Sequence, residues 1–399
     1  MAWNEVSTME QRMKFVLEVQ QGELPIAVLC RRYGISRTTG YKWIARYEGE
    51  GLEGMEEKSR RPLSSPNATS SRLVNMMIQE RRLHPTWGPK KIRCRLEKCG
   101  VQGPPAASTI GDILKAHGMV RGRTRRTIQP AGPRGPLTEP EAPNEVWTVD
   151  FKGWFRTRDG KRCDPLTVKD LYSRYLLCLR VLPDQTVEET RRAFITVFKQ
   201  YGLPRVIRSD NGSSFASIGA GRLSRFSVWL MRLAITPEFI APGRPDQNGS
   251  HEQTHRILKA ETTQPPSANR QAQQRRFNRW RNEYNQARPH EALGMRMPSD
   301  VYQSSLRPYT GVLGQPSYPA SFEVRRVRSS GQIKWQGTLR YISEPLIGQL
   351  VGISPSEDGI HGVYFASRYL GDLHDAESSG LRPGAPSLDH GIDSGGIKV

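Results

Sequence analysis

The sequence predicts a multidomain protein with an N-terminal all-α helix-turn-helix region, a central α/β core and a C-terminal small β-barrel. Apolar residues recur at helical spacing from residue 8 to residue 117, which predicts two groups of short helices. Strand-like and helix-like segments alternate from residue 145 to residue 286, a pattern typical of a sheet covered by helices. Alternating apolar residues with Ser-Gly and Asp-Gly turns fill residues 321–373, which predicts the β domain.

The chain is strongly basic, with 59 Lys and Arg against 39 Asp and Glu and a formal net charge of +20. Such a field favours a polyanionic partner, because Lys and Arg contacts to phosphates supply much of the affinity for nucleic acid. The alternative is a basic soluble protein without that partner. The five cysteines lack CxxC or zinc-ligand spacing, so we expect reduced thiols and no structural zinc. The sequence has no membrane-length apolar run and no signal-peptide pattern, so we expect a soluble, cytoplasmic protein.

The N-terminal region, predicted over residues 1–55, has a helix-turn-helix pattern. Gly34 ends the second predicted helix, and Ser36 is placed to cap a third helix over residues 37–47. Trp43 and Ile44 would enter the core, and early polar residues of that helix would contact DNA. The DNA-contact candidates are Arg37, Thr38, Thr39, Tyr41 and Lys42. The alternative is a three-helix bundle with a solvated basic face.

A second helical unit is predicted over residues 65–125, beyond a polar, Pro-bearing linker. Its helices would span residues 71–83, 89–98 and 108–117, with Ser108 capping the last. Basic residues surround the middle helix, which indicates a second small DNA-binding unit; a plain spacer bundle is the alternative.

The central core is predicted over residues 140–305 and begins with antiparallel strands. The predicted strands cover residues 145–154, 165–169, 175–182, 205–208 and 235–240, and the predicted helices cover 186–201, 222–233, 247–261 and 268–286. The β-barrel is predicted over residues 320–375, and the Gly/Ser/Pro-rich tail, residues 376–399, is expected to be disordered.

Three carboxylates stand at positions where they can meet. Asp150 ends the apolar run VWTVDF, Asp210 follows the strand-like RVIRS, and Glu252 lies one turn inside the helix that follows APGRPDQNG. Clustered carboxylates hold Mg²⁺, and two divalent metals activate the attacking oxygen and stabilise the leaving oxygen of a phosphodiester. Taken singly, Asp210 is expected to stabilise a turn and Asp150 to end a strand; the surrounding motifs favour a shared site.

These motifs resemble the D,D,E transposases of bacterial insertion sequences, within the retroviral-integrase superfamily. The resemblance rests on SDNGSSF, on PxxPxxNG before the Glu-bearing helix, and on YNxxRPHxAL at residues 284–293. It implies an RNase H-like core, Mg²⁺ or Mn²⁺, and a location with the bacterial nucleoid. The matched catalytic and metal-binding residues are Asp150, Asp210 and Glu252.

The third carboxylate needs a choice between two residues. Between Asp210 and Asp246 lie 35 residues, the spacing usual in the family, whereas 41 residues lie between Asp210 and Glu252. We choose Glu252, because an Asp after Pro245 at a helix start is expected as a cap. The family motif also places its NG before the glutamate, and a loop insertion around residues 216–221 accounts for the extra length.

The helix of Glu252 carries two further DNA-contact candidates, Arg256 and Lys259, at i+4 and i+7 on the same face. An ordinary solvated face is the alternative for both. His251 and His255 are expected as surface or phosphate-contacting residues, and the turn at Arg288 as a brace for the core.

The resemblance implies a transposase that binds the terminal inverted repeats of its element, cleaves at the ends and joins 3′-hydroxyls to target DNA. It also implies a homo-oligomer, at least a dimer, because two element ends must be held together. One alternative is a non-catalytic helix-turn-helix regulator, which an intact carboxylate triad disfavours. The other is a metal-dependent nuclease that cleaves without joining.

Overall fold

In the computed structural model the chain forms two compact units, Met1–Thr69 and Ser70–Val399. The structure describes residues 7–59, 68–120, 137–210, 212, 215, 217, 219–241, 249–356, 358–383 and the backbone of 397–398. Among these residues, no helix is both long and apolar enough to cross a membrane.

The first unit is a three-helix bundle. Helices α1 (Thr8–Gln21), α2 (Ile26–Arg32) and α3 (Arg37–Glu50) lead into a 3₁₀ turn at Gly51–Met55. Ser36 caps α3 as predicted, since its Oγ accepts a hydrogen bond from the Thr39 N–H at 3.1 Å. The helices close on a core of Phe15, Val16, Leu29, Cys30, Trp43 and Met55.

The second unit begins with α4 (Ser71–Leu83), α5 (Pro89–Lys98) and α6 (Ala107–Ala116). Their buried side chains are Met77, Trp87, Ile92, Leu96, Ile110 and Leu114. The expected Ser108 cap is wrong: the extended residue before α6 is Ala106, which makes no side-chain cap, so Ser108 lies inside the first turn.

A mixed sheet forms the centre of the second unit. Its strands are β1 (Val146–Phe151), β2 (Phe155–Arg156), β3 (Arg162–Asp170), β4 (Leu176–Leu182), β5 (Val206–Ser209) and β6 (Thr236–Phe239). Strand β3 pairs antiparallel with β1, β2 and β4, whereas β1, β5 and β6 run parallel. The predicted antiparallel start is therefore present, and the parallel strands bring their carboxyl ends to one edge.

The two faces of this sheet are covered differently. The helices are α7 (Val187–Tyr201), α8 (Arg225–Arg232), α9 (Gly249–Thr262) and α10 (Arg270–Gln286). Trp147 and Val149 of β1 pack in the apolar core with α7 and α8. Thr148 alternates to the other face, where it contacts His251 of α9. The polar face of β1 therefore receives the helix that carries Glu252.

The C-terminal region contains β7 (Gln315–Pro316), β8 (Glu323–Arg326), β9 (Gln332–Trp335), β10 (Thr338–Tyr341), β11 (Leu350–Ile353), β12 (Ile360–Phe365), β13 (Arg368–His374) and β14 (Ile397–Lys398). Four of them form an antiparallel sheet in the order β13-β12-β11-β8, while β9 pairs with β10 and β7 with β14. The predicted closed barrel is not found among the described residues. Leu223, Val228 and Met231 of the core pack into the apolar cluster of this region, so its inner face is covered without closure.

Part of the predicted tail and of the predicted loop insertion lies against this sheet. The Arg382 N–H donates to the Asp372 carbonyl at 2.9 Å, and the Leu381 N–H donates to the Tyr341 carbonyl at 3.1 Å. The Arg368 guanidinium donates to the Gly221 carbonyl at 3.2 Å. Residues 384–396 of the tail lie outside the described residues.

Candidate active site

Asp150 and Asp210 lie at the same edge of the sheet because their strands are parallel neighbours. Val149 stands opposite Ser209, and each aspartate is the next residue along its strand. The Asp210 carboxylate accepts a hydrogen bond from the Gly212 N–H at 3.0 Å. A Cβ at Gly212 would lie 2.9 Å from that carboxylate, so the glycine of the SDNG motif allows the close backbone approach.

Helix α9 reaches this edge through two histidines. His251 is completely buried, with its Nδ1 2.9 Å from the Thr148 hydroxyl. His255 Nε2 lies 2.7 Å from the Thr167 hydroxyl, which in turn donates to the Asp150 carbonyl at 2.9 Å. The expectation of surface histidines is therefore wrong, because both imidazoles are the contacts that seat α9 on β1 and β3. His251, His255 and the buried Leu258 lie at positions i, i+4 and i+7, on one face of α9. This spacing could have indicated that the two histidines face the protein interior.

Glu252 follows His251 on α9 and its side chain is exposed. Burial, then the neighbouring Asp210 and, more weakly, Glu252, raise the pKa of Asp150 to about 7. His255 Nδ1 is 3.7 Å from the Asp150 carboxylate, but burial and two lysines lower the pKa of His255 to about 3, so it is neutral. We call Asp150, Asp210 and Glu252 the acidic edge. Because His255 is neutral, it does not offset the negative charge of these carboxylates.

Asp210 raises the pKa of Asp150 more strongly than Glu252 does. In the described part of the chain, no three His, Cys, Asp or Glu side chains are grouped closely enough to hold a metal ion. The donor set still fits Mg²⁺, which proteins hold through one or two carboxylates together with waters and substrate phosphates. Asp246, the alternative third carboxylate, lies outside the described residues.

Basic side chains lie on α9 and in the segment that follows β1. Arg256 and Lys259 are exposed on α9. Burial and then Lys259 lower the pKa of Lys152, which identifies Lys152 as a further cation near this face. Trp154 is exposed, with the guanidinium carbons of Arg156 and Arg162 at 5.7 and 5.5 Å from its ring centroid. The sequence reasoning missed these residues, although they follow Asp150 directly in the chain.

The DNA-contact candidates of the first unit differ in exposure. Arg37, Thr38, Tyr41 and Lys42 are exposed at the start of α3. Thr39 is half-buried, and its hydroxyl lies 2.9 Å from the Ser36 hydroxyl. Its side chain therefore takes part in the helix cap, which the sequence reasoning did not anticipate.

The turn at Arg288 is a buried brace, as expected. Arg288 is only 3% exposed and donates to the Glu261 carboxylate at 3.2 Å and to the Thr86 hydroxyl at 2.9 Å. Trp280 donates its indole N–H to the same carboxylate at 2.5 Å. The brace therefore ties the end of α9 to α10 and to the second helical unit.

Comparisons with known proteins match both parts of this architecture. A family described as "Integrase core domain" matches residues 140–245, and a second family with that description matches residues 233–298. A "Helix-turn-helix domain" matches residues 11–62 and a "Homeodomain-like domain" matches residues 39–114. These matches confirm the predicted helix-turn-helix region and the integrase-type core.

Similar proteins come from insertion elements. An uncharacterized 31.7 kDa protein of insertion element IS407 from Burkholderia multivorans is 25% identical over 68% of this chain and 88% of its own length. An uncharacterized 10 kDa protein of element ISR1 from Rhizobium sp is 32% identical over 16% of this chain and 72% of its own. A solved structure of the HTLV-2 integrase catalytic core domain in complex with magnesium is 18% identical, with a TM-score of 0.34 over 41% of this chain and all of that one. By its integrase core, its helix-turn-helix region and its insertion-element relatives, the chain belongs to the insertion-sequence transposases of the integrase superfamily.

Proposed function

We propose that this protein binds the terminal inverted repeats of its element, cleaves at the element ends and joins the 3′-hydroxyls to target DNA. The observation that carries the proposal is the acidic edge: two aspartates follow paired residues of adjacent parallel strands, beside a helix that carries Glu252. Membership of the integrase superfamily supports a polynucleotidyl transferase in general, and the acidic edge supports this particular reaction.

The joining step exchanges one phosphodiester for another. The 3′-hydroxyl oxygen at the element end loses its proton and attacks a phosphorus of the target strand. The target's own 3′-oxygen then leaves that phosphorus and takes up a proton, so no external energy source is required. The chain's task is to align these two oxygens on opposite sides of the phosphorus.

Asp150 and Asp210 are proposed to hold Mg²⁺ or Mn²⁺, with Glu252 as the third carboxylate. The raised pKa of Asp150 supports this assignment, because crowded carboxylates beside a neutral histidine favour a cation as their partner. A divalent cation supplies activation of the attacking oxygen and stabilisation of the leaving oxygen. His251 and His255 act as positioning residues, since they seat α9 against the strand of Asp150.

The DNA-binding part of the proposal assigns end recognition to the start of α3 and backbone contacts to α9. The N-terminal end of α3, which follows a tight turn, presents polar groups as recognition helices do; these groups belong to Arg37, Thr38, Tyr41 and Lys42. Arg256, Lys259 and Lys152 add positive charge beside the acidic edge, where a phosphate backbone must approach. Two ends require a homo-oligomer, at least a dimer, acting with the bacterial nucleoid in the cytoplasm.

The test is a strand-transfer assay with labelled DNA whose ends are the genomic flanks of this gene. Asp150→Asn, Asp210→Asn and Glu252→Gln are each expected to reduce joining by about 10³-fold or more, because each removes charge stabilisation from the reacting phosphate. Binding to the labelled ends should stay within about threefold of the unmodified protein, since affinity for DNA is assigned to basic residues and not to these carboxylates.

Asp184→Asn is the matched control, because Asp184 is an exposed aspartate on the loop before α7 and should retain full joining. Retained joining in any of the three variants would remove that residue from the site. If Asp246→Asn abolishes joining and Glu252→Gln does not, the third carboxylate is Asp246. Cleavage without joining by the unmodified protein would instead identify a nuclease.

A further inference from the structure

A second cluster of like charge lies on another flank of α9. A cavity of about 440 Å³ is enclosed by α5, the first turns of α9, the end of α10 and the turn after it. Lys91, Lys169, Arg174 and Arg288 line it, together with His290 and Glu291. We call it the basic cavity.

Lys169 is fixed deep in this cavity. It is 1% exposed, and its ammonium donates to the Ser250 carbonyl at 2.6 Å, the Ser250 hydroxyl at 2.9 Å and the Thr254 hydroxyl at 3.0 Å. Arg174 donates to the same Ser250 hydroxyl at 2.6 Å. All of these acceptors are uncharged, and burial and then Arg174 lower the pKa of Lys169 well below its usual value, so the Lys169 amine is fixed in place while its charge is disfavoured.

Two acids in or beside the cavity, Glu291 and Glu261, are already engaged. Glu261 binds Arg288, and Glu291 accepts a hydrogen bond from Lys90 at 3.0 Å. Within the part of the chain that the structure describes, Lys91, Lys169 and Arg174 have no carboxylate within 4.0 Å. Among the described residues, Lys91 and Arg174 therefore have no ion-pair partner, although Glu291 and Glu261 act on Lys91 and Asp170 acts on Arg174 from a longer distance.

The pKa values of neighbouring groups reflect this excess of positive charge. Burial, then Lys91 and Arg288, and after them Lys169 and Arg174, lower the pKa of His290 to about 3. Burial and then Arg288 lower the pKa of Lys91 to about 8. In addition, the Nε atoms of Arg174 and Arg288 are buried without a hydrogen-bond partner among the described residues.

Uncompensated charge in a protein interior is costly, because the ion loses water and gains no partner. A bound anion removes that cost. Phosphate suits the cluster, since guanidinium groups bind its oxygens in pairs and lysines serve as point charges. The volume leaves room for a sugar beside the phosphate. An adjoining cavity of about 810 Å³ shares Arg174 and Ser250, so the two form a continuous surface at the start of α9.

We propose that the basic cavity binds a phosphate group and that this phosphate links Lys91 of the second helical unit to Arg174 of the core, beside the buried Lys169. The phosphate comes from the backbone of bound DNA or from a free phosphate compound; the two sources share the same chemistry. The proposal does not rest on reaction at the acidic edge, because its first measurement involves no catalysis.

The first experiment titrates the full-length protein with inorganic phosphate at constant ionic strength and follows its thermal unfolding. Phosphate should raise the melting temperature. Lys91→Gln should raise the dissociation constant for phosphate about tenfold, the effect of losing one charged hydrogen bond. Lys91→Arg should keep phosphate binding. Lys115→Gln is the control: it removes the same charge from an exposed lysine of α6 outside the cavity.

Without phosphate, Lys91→Gln should melt no lower than the unmodified protein, because the variant loses an unpaired charge. A purely structural role for Lys91 predicts a lower melting temperature in this buffer. Arg174→Gln should weaken phosphate binding in the same way. Arg180→Gln should not, because Arg180 is an exposed residue of β4 that is merely nearby in sequence.

The second experiment measures binding of the labelled element ends at several salt concentrations. If Lys91→Gln weakens DNA binding and lowers the slope of log affinity against log salt by about one, the phosphate belongs to DNA. If Lys91→Gln loses phosphate stabilisation but binds DNA unchanged, the cavity takes a free phosphate compound. Equal phosphate stabilisation of the unmodified protein and Lys91→Gln overturns the proposal.

Discussion

Helix α9 lies between two clusters of like charge that the chain holds in different ways. The acidic edge stands at strand ends, where the Asp150 side chain is 21% exposed and Glu252 is exposed. In the basic cavity, by contrast, Lys169 is buried and donates hydrogen bonds to three acceptor atoms of α9. The acidic edge can therefore exchange ligands from solvent, as chemistry requires, whereas the basic cavity is built as a fixed anchor.

The largest effect is expected from the paired charge beside the basic cavity. Arg288→Met leaves Glu261 buried without its cation, so it should lower the free energy of unfolding by about 3–5 kcal/mol. Urea denaturation of the full chain measures the change. Lys91→Gln should cause no comparable loss in the free energy of unfolding, because Lys91 is unpaired. This difference distinguishes a structural ion pair from a phosphate-binding residue.

Arg279→Met is the control for that measurement, because Arg279 is exposed on the same helix. Its effect should stay within about 0.5 kcal/mol. Equal destabilisation by Arg288→Met and Arg279→Met would mean that the Glu261 pair does not brace α9.

A smaller effect concerns acid stability. His290 has a pKa of about 3 in the folded chain, below its usual value, so the unfolded state binds a proton first as the pH falls. The stabilisation is present above pH 6.5 and is lost progressively from there towards pH 3. Between pH 7 and pH 5 the loss from this one histidine should be about 2 kcal/mol.

His290→Gln should remove that part of the pH dependence, as measured by urea denaturation at pH 7 and pH 5. His117→Gln, at an exposed histidine, should leave the difference between the two pH values unchanged. If phosphate occupies the basic cavity, adding it should also reduce the difference, because an anion favours protonated His290. An unchanged difference in His290→Gln would show that other groups control acid unfolding.

The smallest effects are expected at the exposed cations of the acidic edge. Arg256→Gln and Lys259→Gln should each weaken DNA binding a few-fold and lower the salt slope by about one, since each removes one phosphate contact. Lys199→Gln, an exposed lysine on α7, is the control. A salt slope that stays the same in both α9 variants would place the DNA backbone elsewhere.

Much of the local structure could be predicted from the sequence. The helical spacing of Thr190, Phe194 and Phe198 places them on one stripe of α7, and all three are buried in the structure. In α1 the apolar residues at mostly helical spacing include Met9 and Leu17, which are exposed, whereas Phe15 is buried. A short helix packed by two neighbours has a wider buried face than a single stripe, so periodicity alone selects its members poorly.

The candidate site shows the same limit. Asp150 and Asp210 could be predicted because each ends an apolar strand, and parallel pairing of β1 with β5 brings such ends together. The burial of His251 and His255 could not, because it depends on threonines of β1 and β3 more than 80 residues away. Closure of the C-terminal strands was predicted wrongly for a related reason: the sequence pattern shows an apolar face but not the helix that covers it.

The sequence by itself determined the order of helices and strands, the excess of positive charge, and the family to which the chain belongs. Local periodicity, caps and short motifs carry that information, since each depends on residues a few positions apart. Only the tertiary structure decided that α9 separates negative from positive charge, because Lys91, Lys169 and Arg174 come from distant segments and follow no period. Burial decides which of those charges remain unpaired, and burial is a property of the packed chain.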